Sequence, residues 1–192
     1  MIQLPVEPRL TKYLYRKASI TKTPLSASFE LTPLCNMACR MCYVRMDKKT
    51  QESIAPLRSC DEWMDIAKQA REHGLLYILL TGGEPFTHPE FREILSGLHK
   101  EGFIVSVNSN GTLIDEQTIV WLKETPPVRV NITLYGASNE TYFRLCGKPD
   151  GFTRVSKAIS LLREAGITVK INLSLTPYNA DDLEGIFAFC RE

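Results

Sequence analysis

Leu34-Cys35-Asn36-Met37-Ala38-Cys39-Arg40-Met41-Cys42-Tyr43 sets three thiols at C-x3-C-x2-C spacing, directly after a strand-like run at residues 26–32. No fourth cysteine stands near them, since Cys60, Cys146 and Cys190 are scattered along the rest of the chain. Three thiolates suit an iron-sulfur cluster with one iron left open. Structural zinc usually closes its shell with four ligands, and a four-cysteine electron carrier covers its reactive irons. Spacing alone leaves plainer readings open: a zinc knuckle completed by Cys60, a disulfide, or ordinary buried thiols.

A second motif bears on that choice. Thr81-Gly82-Gly83-Glu84-Pro85 follows the apolar run at residues 75–80 and precedes a helical pattern. Gly82 and Gly83 allow a strand end to turn sharply and a ligand to approach the backbone, while Glu84 offers an acceptor for a cation. A Gly-rich strand-to-helix turn with no further role is the alternative. Working outward, strands are expected at residues 26–32, 77–80, 104–108, 128–134 and 169–175, with helices between them. Ser59-Cys-Asp-Glu62 and Thr87-His-Pro-Glu90 read as capping boxes. Asp115 starts a further helix, the stripe Phe152, Val155, Ile159 and Leu162 marks a fourth that stops at Gly166, and Asp181 or Asn179 opens a fifth. Strand-helix alternation with short links requires parallel strands and right-handed crossovers, so the α/β fold expected is part of a barrel with about five βα units. Each motif then falls at the carboxyl end of a strand, where reactive groups gather in such folds.

With these residues in place, the chain resembles the radical S-adenosylmethionine superfamily. The resemblance rests on Cys35, Cys39 and Cys42, on Gly82 to Pro85, on Ser109-Asn-Gly-Thr112 and on Asn131-Ile-Thr-Leu-Tyr-Gly136, and it looks most like the branch that often carries a C-terminal SPASM domain. It implies a partial parallel (β/α) TIM-like barrel and a [4Fe-4S] cluster on the three cysteines. It also implies S-adenosyl-L-methionine on the open iron, cleaved reductively so that a 5′-deoxyadenosyl radical abstracts hydrogen from the substrate. By the same resemblance Glu84 accepts a hydrogen bond from the methionyl amino group and Gly82, Gly83 and Pro85 form the backbone turn beside it. Asn110 and Thr133 stand where polar side chains meet ribose or carboxylate. The implied partners are a flavodoxin- or ferredoxin-like electron donor and a peptide substrate.

Two departures from the family pattern stand out. Met41 holds a place that is often aromatic there, and Tyr43, one position late, does not replace it. The sequence also ends at Cys190-Arg-Glu192, where the family supplies a sixth strand and often a cysteine-rich extension. The expected layout is therefore an N-terminal extension at residues 1–22 and an incomplete core domain at residues 23–192, without an auxiliary-cluster domain. Two rivals to the enzyme remain: a catalytically incompetent fragment, and a non-catalytic iron-sulfur or zinc module.

Composition narrows the field from another side. Lys plus Arg minus Asp plus Glu is 23 − 22 = +1, which offers no broad field for nucleic acid or a membrane surface. The start, Met1-Ile-Gln-Leu-Pro5, lacks the basic and apolar regions of a signal peptide, and no run is long and apolar enough to span a bilayer. A cytoplasmic protein is expected, in keeping with clustered thiols that need reducing surroundings. Residues 43–59 read as a long loop beside the cysteines, either a lid or a surface excursion. The basic run containing Lys12, Arg16 and Lys17 reads as a short helix packed on the barrel. Arg144 reads as an exposed loop residue, with a bidentate grip on the methionyl carboxylate of the cofactor as the sharper alternative. His73, His88 and His99 fall at helix ends and are assigned no ligand role.

Overall fold

Five apolar runs form five parallel strands in a single sheet of order β1-β2-β3-β4-β5: β1 (Ser26–Thr32), β2 (Tyr77–Gly82), β3 (Ile104–Ser109), β4 (Arg129–Thr133) and β5 (Val169–Asn172). The computed structural model describes residues 9–191. The opening residues from Met1, expected to carry no signal sequence, lie outside the described residues. Eight α-helices are present among those described: α1 (Arg9–Thr21), α2 (Lys48–Ile54), α3 (Cys60–Glu72), α4 (Phe91–Lys100), α5 (Glu116–Glu124), α6 (Asn139–Cys146), α7 (Gly151–Glu164) and α8 (Leu183–Phe189).

Alternation along the strands separates two faces. Ile78 and Leu80 of β2, Val105 and Val107 of β3, and Val130 and Ile132 of β4 are buried in one core with Ile94, Leu95 and Leu98 of α4 and Val155, Ile159 and Leu162 of α7. The opposite positions, paired as Leu79–Ser106–Arg129 and Asn108–Asn131, grow polar toward the strand ends. A fully packed barrel carries branched apolar residues on that inner side; this one keeps a polar lumen instead. At the amino ends of the strands the Tyr15 ring of α1 stacks on Tyr77 of β2 at 6.4 Å.

Side-chain caps start α2, α3, α5 and α6, whereas α4, α7 and α8 begin without one. Glu62 N–H donates to Ser59 Oγ at 3.3 Å and Ser59 N–H to Glu62 Oε2 at 2.8 Å, a complete capping box for α3. Thr118 N–H donates to Asp115 Oδ1 at 2.8 Å ahead of α5. Three expectations are corrected. Residues 43–59 are not all loop, because Asp47 accepts from Thr50 N–H and starts α2. Arg144 lies within α6, capped by Ser138 and ended by left-handed Gly147, rather than in a loop. Thr87 to Glu90 form no capping box: Thr87 closes a 3-10 turn, and the Glu90 carboxylate accepts from Cys60 N–H at 2.9 Å, capping α3 rather than α4.

The junction of β1 and β2 sets the geometry of everything above it. The ladder pairs Glu30 with Thr81 and then Thr32 with Gly82, so β1 carries an extra residue and bends as it leaves the sheet. Gly83 N–H donates to Thr32 O at 2.6 Å and Glu84 N–H to Leu34 O at 2.9 Å, stitching the turn to the segment that leads into Cys35. A Cβ at Gly82, whose φ is +134°, would strike the Thr32 backbone, and one at Gly83 would strike the Pro33 and Leu34 carbonyls. Substitution Gly83→Ala is expected to destabilise the fold by about 1–3 kcal/mol, because backbone atoms have to move apart. A urea titration monitored by tryptophan fluorescence measures it, and an unchanged midpoint contradicts this account of the junction.

Candidate functional site

Above the carboxyl ends of the strands lies a cavity of about 300 Å³, at the lower end of the size range of small-molecule sites. Cys35, Cys39 and Cys42 line one side. Gly82 and Gly83 at the end of β2, Asn110 after β3 and Thr133 at the end of β4 line the rest, joined by Tyr135 and Ser174. Residues separated by up to 139 positions in the chain (174 − 35) therefore share one wall.

Backbone bonds hold the cysteine segment at several points. Met46 N–H donates to Pro33 O at 3.0 Å, Ala38 N–H to Cys146 O at 2.9 Å and Arg40 N–H to Leu145 O at 3.0 Å, which straps the segment to the end of α6. Asn36 Nδ2 donates to Thr112 Oγ1 at 2.8 Å, and Asn110 Nδ2 donates to Asn36 Oδ1 at 2.9 Å. Asn110 Oδ1 accepts from Thr112 N–H and Oγ1, so this side chain both borders the cavity and locks the turn after β3 to the cysteines.

Each sulfur meets a donor. Met37 N–H approaches Cys35 Sγ at 3.4 Å, with Asn110 Nδ2 at 3.7 Å, and Arg45 N–H approaches Cys42 Sγ at 3.3 Å. The buried Cys146 thiol donates to Cys39, and that bond, aided by the Tyr135 hydroxyl, holds Cys39 below the usual thiol range against the effect of burial. Burial pushes Cys35 the other way, tempered by the Met37 N–H. Among the described residues no three His, Cys, Asp or Glu side chains converge closely enough to hold a single metal ion. A cluster binds each thiolate through a separate iron, so its ligands spread more widely than those of one ion. Three thiolates on a pinned loop, each with a hydrogen-bond donor, fit that group.

Glu84 stands differently from the sequence-based expectation of direct contact. Its carboxylate is wholly buried behind the wall, with Oε1 accepting from Ser109 Oγ at 2.9 Å and Phe86 N–H at 3.3 Å, and Oε2 from Asn110 N–H at 2.7 Å. Both oxygens are engaged in tying the end of β2 to the end of β3, and neither Glu84 nor Pro85 lines the cavity. Burial pushes the acid up to about 7, although all three donors favour the charged form.

Other residues are placed as plainly. Arg144 grips Asp181 through Nη2 at 2.7 and 2.9 Å and donates from Nε to Tyr178 O, so its fork ties α6 to the segment after β5 and leaves the cavity wall. Cys60 stands in the first turn of α3, outside the wall. His88 bridges Arg58 O at 3.0 Å and Glu90 N–H, a structural role. Met41 and the 95% exposed Tyr43 border the mouth of the cavity. Sequence reading gave Cys146 no role, took Tyr135 only as part of the station after β4 and took Asn179 only as a helix start. Asn179 is fully buried and donates to Tyr135 O and Ser174 O at 3.0 Å each, fixing two residues of the wall. Gly147 just after Cys146 was the available sign that a helix ends there, facing the cysteine segment.

Comparison with known proteins supplies the wider context. Residues 29–190 match the Radical SAM superfamily. The antilisterial bacteriocin subtilosin biosynthesis protein AlbA of Bacillus subtilis is 32% identical over 81% of this chain and 34% of its own length. An AdoMet-dependent heme synthase of Methanosarcina barkeri is 28% identical over 91% of this chain and 49% of its own. In fold, the chain superposes on Streptococcus suis SuiB bound to precursor peptide SuiA with a TM-score of 0.74 at 19% identity, covering 98% of this chain and 43% of that one. The chain thus spans half or less of the length of these proteins. By a match that runs through all five strands and the cysteine segment, the chain belongs to the Radical SAM superfamily.

Proposed function

We propose that this chain is the core of a radical S-adenosylmethionine enzyme. Cys35, Cys39 and Cys42 hold a [4Fe-4S] cluster, and Gly82, Gly83, Asn110 and Thr133 border the place of S-adenosyl-L-methionine. The observation that carries this reading is the meeting of the three thiols with those four residues around one cavity. Once bound, cluster and cofactor supply reductive cleavage of a sulfonium and a carbon-centred radical that abstracts hydrogen. The protein's own part is positioning. Bare backbone at Gly82 and Gly83 lets a ligand lie close, Asn110 keeps Cys35 oriented, and Glu84 acts from behind as a positioning residue that fixes the turn. The substrate is proposed to be a peptide, with support from AlbA and from SuiB in complex with its precursor peptide, and the same likeness supports a SPASM-associated branch. A low-potential electron donor completes the system. Among the described residues no helix is long and apolar enough to cross a membrane. All six cysteines are free thiols, which supports a reducing, cytoplasmic setting.

Anaerobic reconstitution with iron and sulfide tests the assignment. The chain is expected to bind about four irons and, with reductant, to release 5′-deoxyadenosine from S-adenosylmethionine, while Cys35→Ala, Cys39→Ala or Cys42→Ala abolishes both. Tight binding of one zinc with no cofactor cleavage would instead establish a non-catalytic module, and a cluster without cleavage an incompetent one.

Glu84 makes a separate prediction. Its folded-state value near 7 lies above the ordinary 4.5, so the folded protein holds the extra proton and the contribution to stability is full below about 4.5. That contribution is lost as pH rises through about 7, with a loss on the order of 3 kcal/mol. Urea unfolding of the ligand-free protein from pH 4.5 to 8 is expected to show this fall, and Glu84→Gln to flatten it. Parallel slopes for the two proteins would contradict the burial of a lone carboxyl.

A further inference from the structure

A second cavity, of about 540 Å³, lies at the amino ends of the strands, lined by Tyr15 of α1 and by the inner side of β1 to β4. It is larger than the one beside the cysteines, and the two share no lining residue. Asn131 stands between them: it lines the lower cavity, and its Nδ2 donates at 2.8 Å to Oδ1 of Asn108, which lines the upper one. Asn131 is only 5% exposed, yet its Oδ1 accepts no hydrogen bond among the described residues. A buried amide oxygen without a donor is costly, and folded proteins seldom leave one unanswered. Charge at this cavity has one sign. Arg129 lines it, no Asp or Glu does, and among the described residues the guanidinium has no acid partner. Lys170 pairs with Asn131 in the ladder and so shares its side of the sheet, while Val169 and Ile171 pack on the opposite face. Lys170 likewise meets no acid among the described residues. Ser28, Leu79, Ser106 and Arg129 form one row across four strands, which adds two hydroxyls beside the guanidinium. The rest of the wall is largely apolar, with Val128 57% and Tyr15 47% exposed.

We propose that this lower cavity is a second binding site, for a small hydroxy acid with an apolar body, held by Arg129 and Asn131. The guanidinium fork matches a carboxylate head through two parallel hydrogen bonds. The hydroxyl beside that head supplies the donor that Asn131 Oδ1 lacks. A neutral hydroxyl serves there better than an ammonium group, because Arg129 and Lys170 repel a further cation. Leu79, Val128 and the Tyr15 ring take the apolar body out of water. Nothing in this site depends on the group that the cysteines hold.

The test uses phenyllactate as the probe on the full chain, read by calorimetry and by the Asn131 side-chain amide resonance in nitrogen-proton correlation spectra. Phenyllactate is expected to bind and to shift that resonance. Hydrocinnamate, the same acid without the hydroxyl, is expected to bind about fivefold less tightly, by the worth of one hydrogen bond. The methyl ester of phenyllactate, which lacks the charge, and the variant Arg129→Gln are each expected to weaken binding at least about tenfold. Arg129 is exposed and unpaired, so this variant keeps the fold, and Lys68→Gln, exposed on α3, is the control that leaves binding unchanged. Absence of phenyllactate binding, an unmoved Asn131 resonance, or equal affinity in wild type and Arg129→Gln overturns the proposal. Equal affinity for hydrocinnamate and phenyllactate also overturns it, since water alone then serves Asn131. Inorganic phosphate that binds as tightly as phenyllactate would reveal a bare anion hole and overturn the assignment of a hydroxy acid.

Discussion

Two stretches of backbone, Thr32 to Leu34 and Gly82 to Glu84, lie so close that no side chain fits between them, and the site depends on this contact. Gly83 N–H and Glu84 N–H donate directly to carbonyls of the segment that opens into Cys35. The bend of β1 at its extra residue and the positive φ of Gly82 are both needed for it. Because the cysteine segment and the Gly-Gly turn share hydrogen bonds, they form one rigid corner, and the thiols keep a fixed relation to the wall across the cavity. Glu84 extends the same corner to β3 through Ser109 and Asn110. A buried carboxylate is costly unless well bonded, and its three donors, Ser109 Oγ, Phe86 N–H and Asn110 N–H, hold it between the ends of β2 and β3.

Polarity inside the barrel follows from the same economy of space. The outer faces of β2, β3 and β4 are filled with Ile, Leu and Val against the helices, while Ser106, Asn108, Asn131 and Thr133 point the other way. Asn131 Nδ2 donates to Asn108 Oδ1 at 2.8 Å across the lumen, while the buried Asn131 Oδ1 meets no donor among the described residues. A lumen of this kind does not collapse into a packed core, so room remains for a cofactor above it.

The strand pattern was legible because parallel strands between helices need apolar runs of fixed length, and all five fall within a few residues of their expected places. The capping box at Ser59 and the cap at Asp115 were legible for the same local reason. Helices α2 and α6 were not: α2 has seven residues with one buried side chain, Gln51, and so no apolar stripe to read. Glu90 imitates a cap for its own helix but serves α3, because the nearest unsatisfied N–H in space belongs to Cys60. Arg144 has a guanidinium fork suited to a carboxylate, but its partner is the Asp181 side chain of the segment after β5, a contact that residue spacing does not announce.

By itself the sequence determined which groups are available for binding. Thiols at C-x3-C-x2-C spacing, a Gly-Gly turn and short polar stations after each strand are properties of residue type and local spacing, and local rules suffice to read them. Tertiary structure alone decided which of those groups face the cavity. Whether Glu84 looks into the site or behind it, and whether Cys146 is a bystander or the donor beneath Cys39, depends on packing between segments more than a hundred residues apart in the latter case. No periodicity encodes such contacts, because they arise only when α6 and the cysteine segment are brought together by the sheet between them.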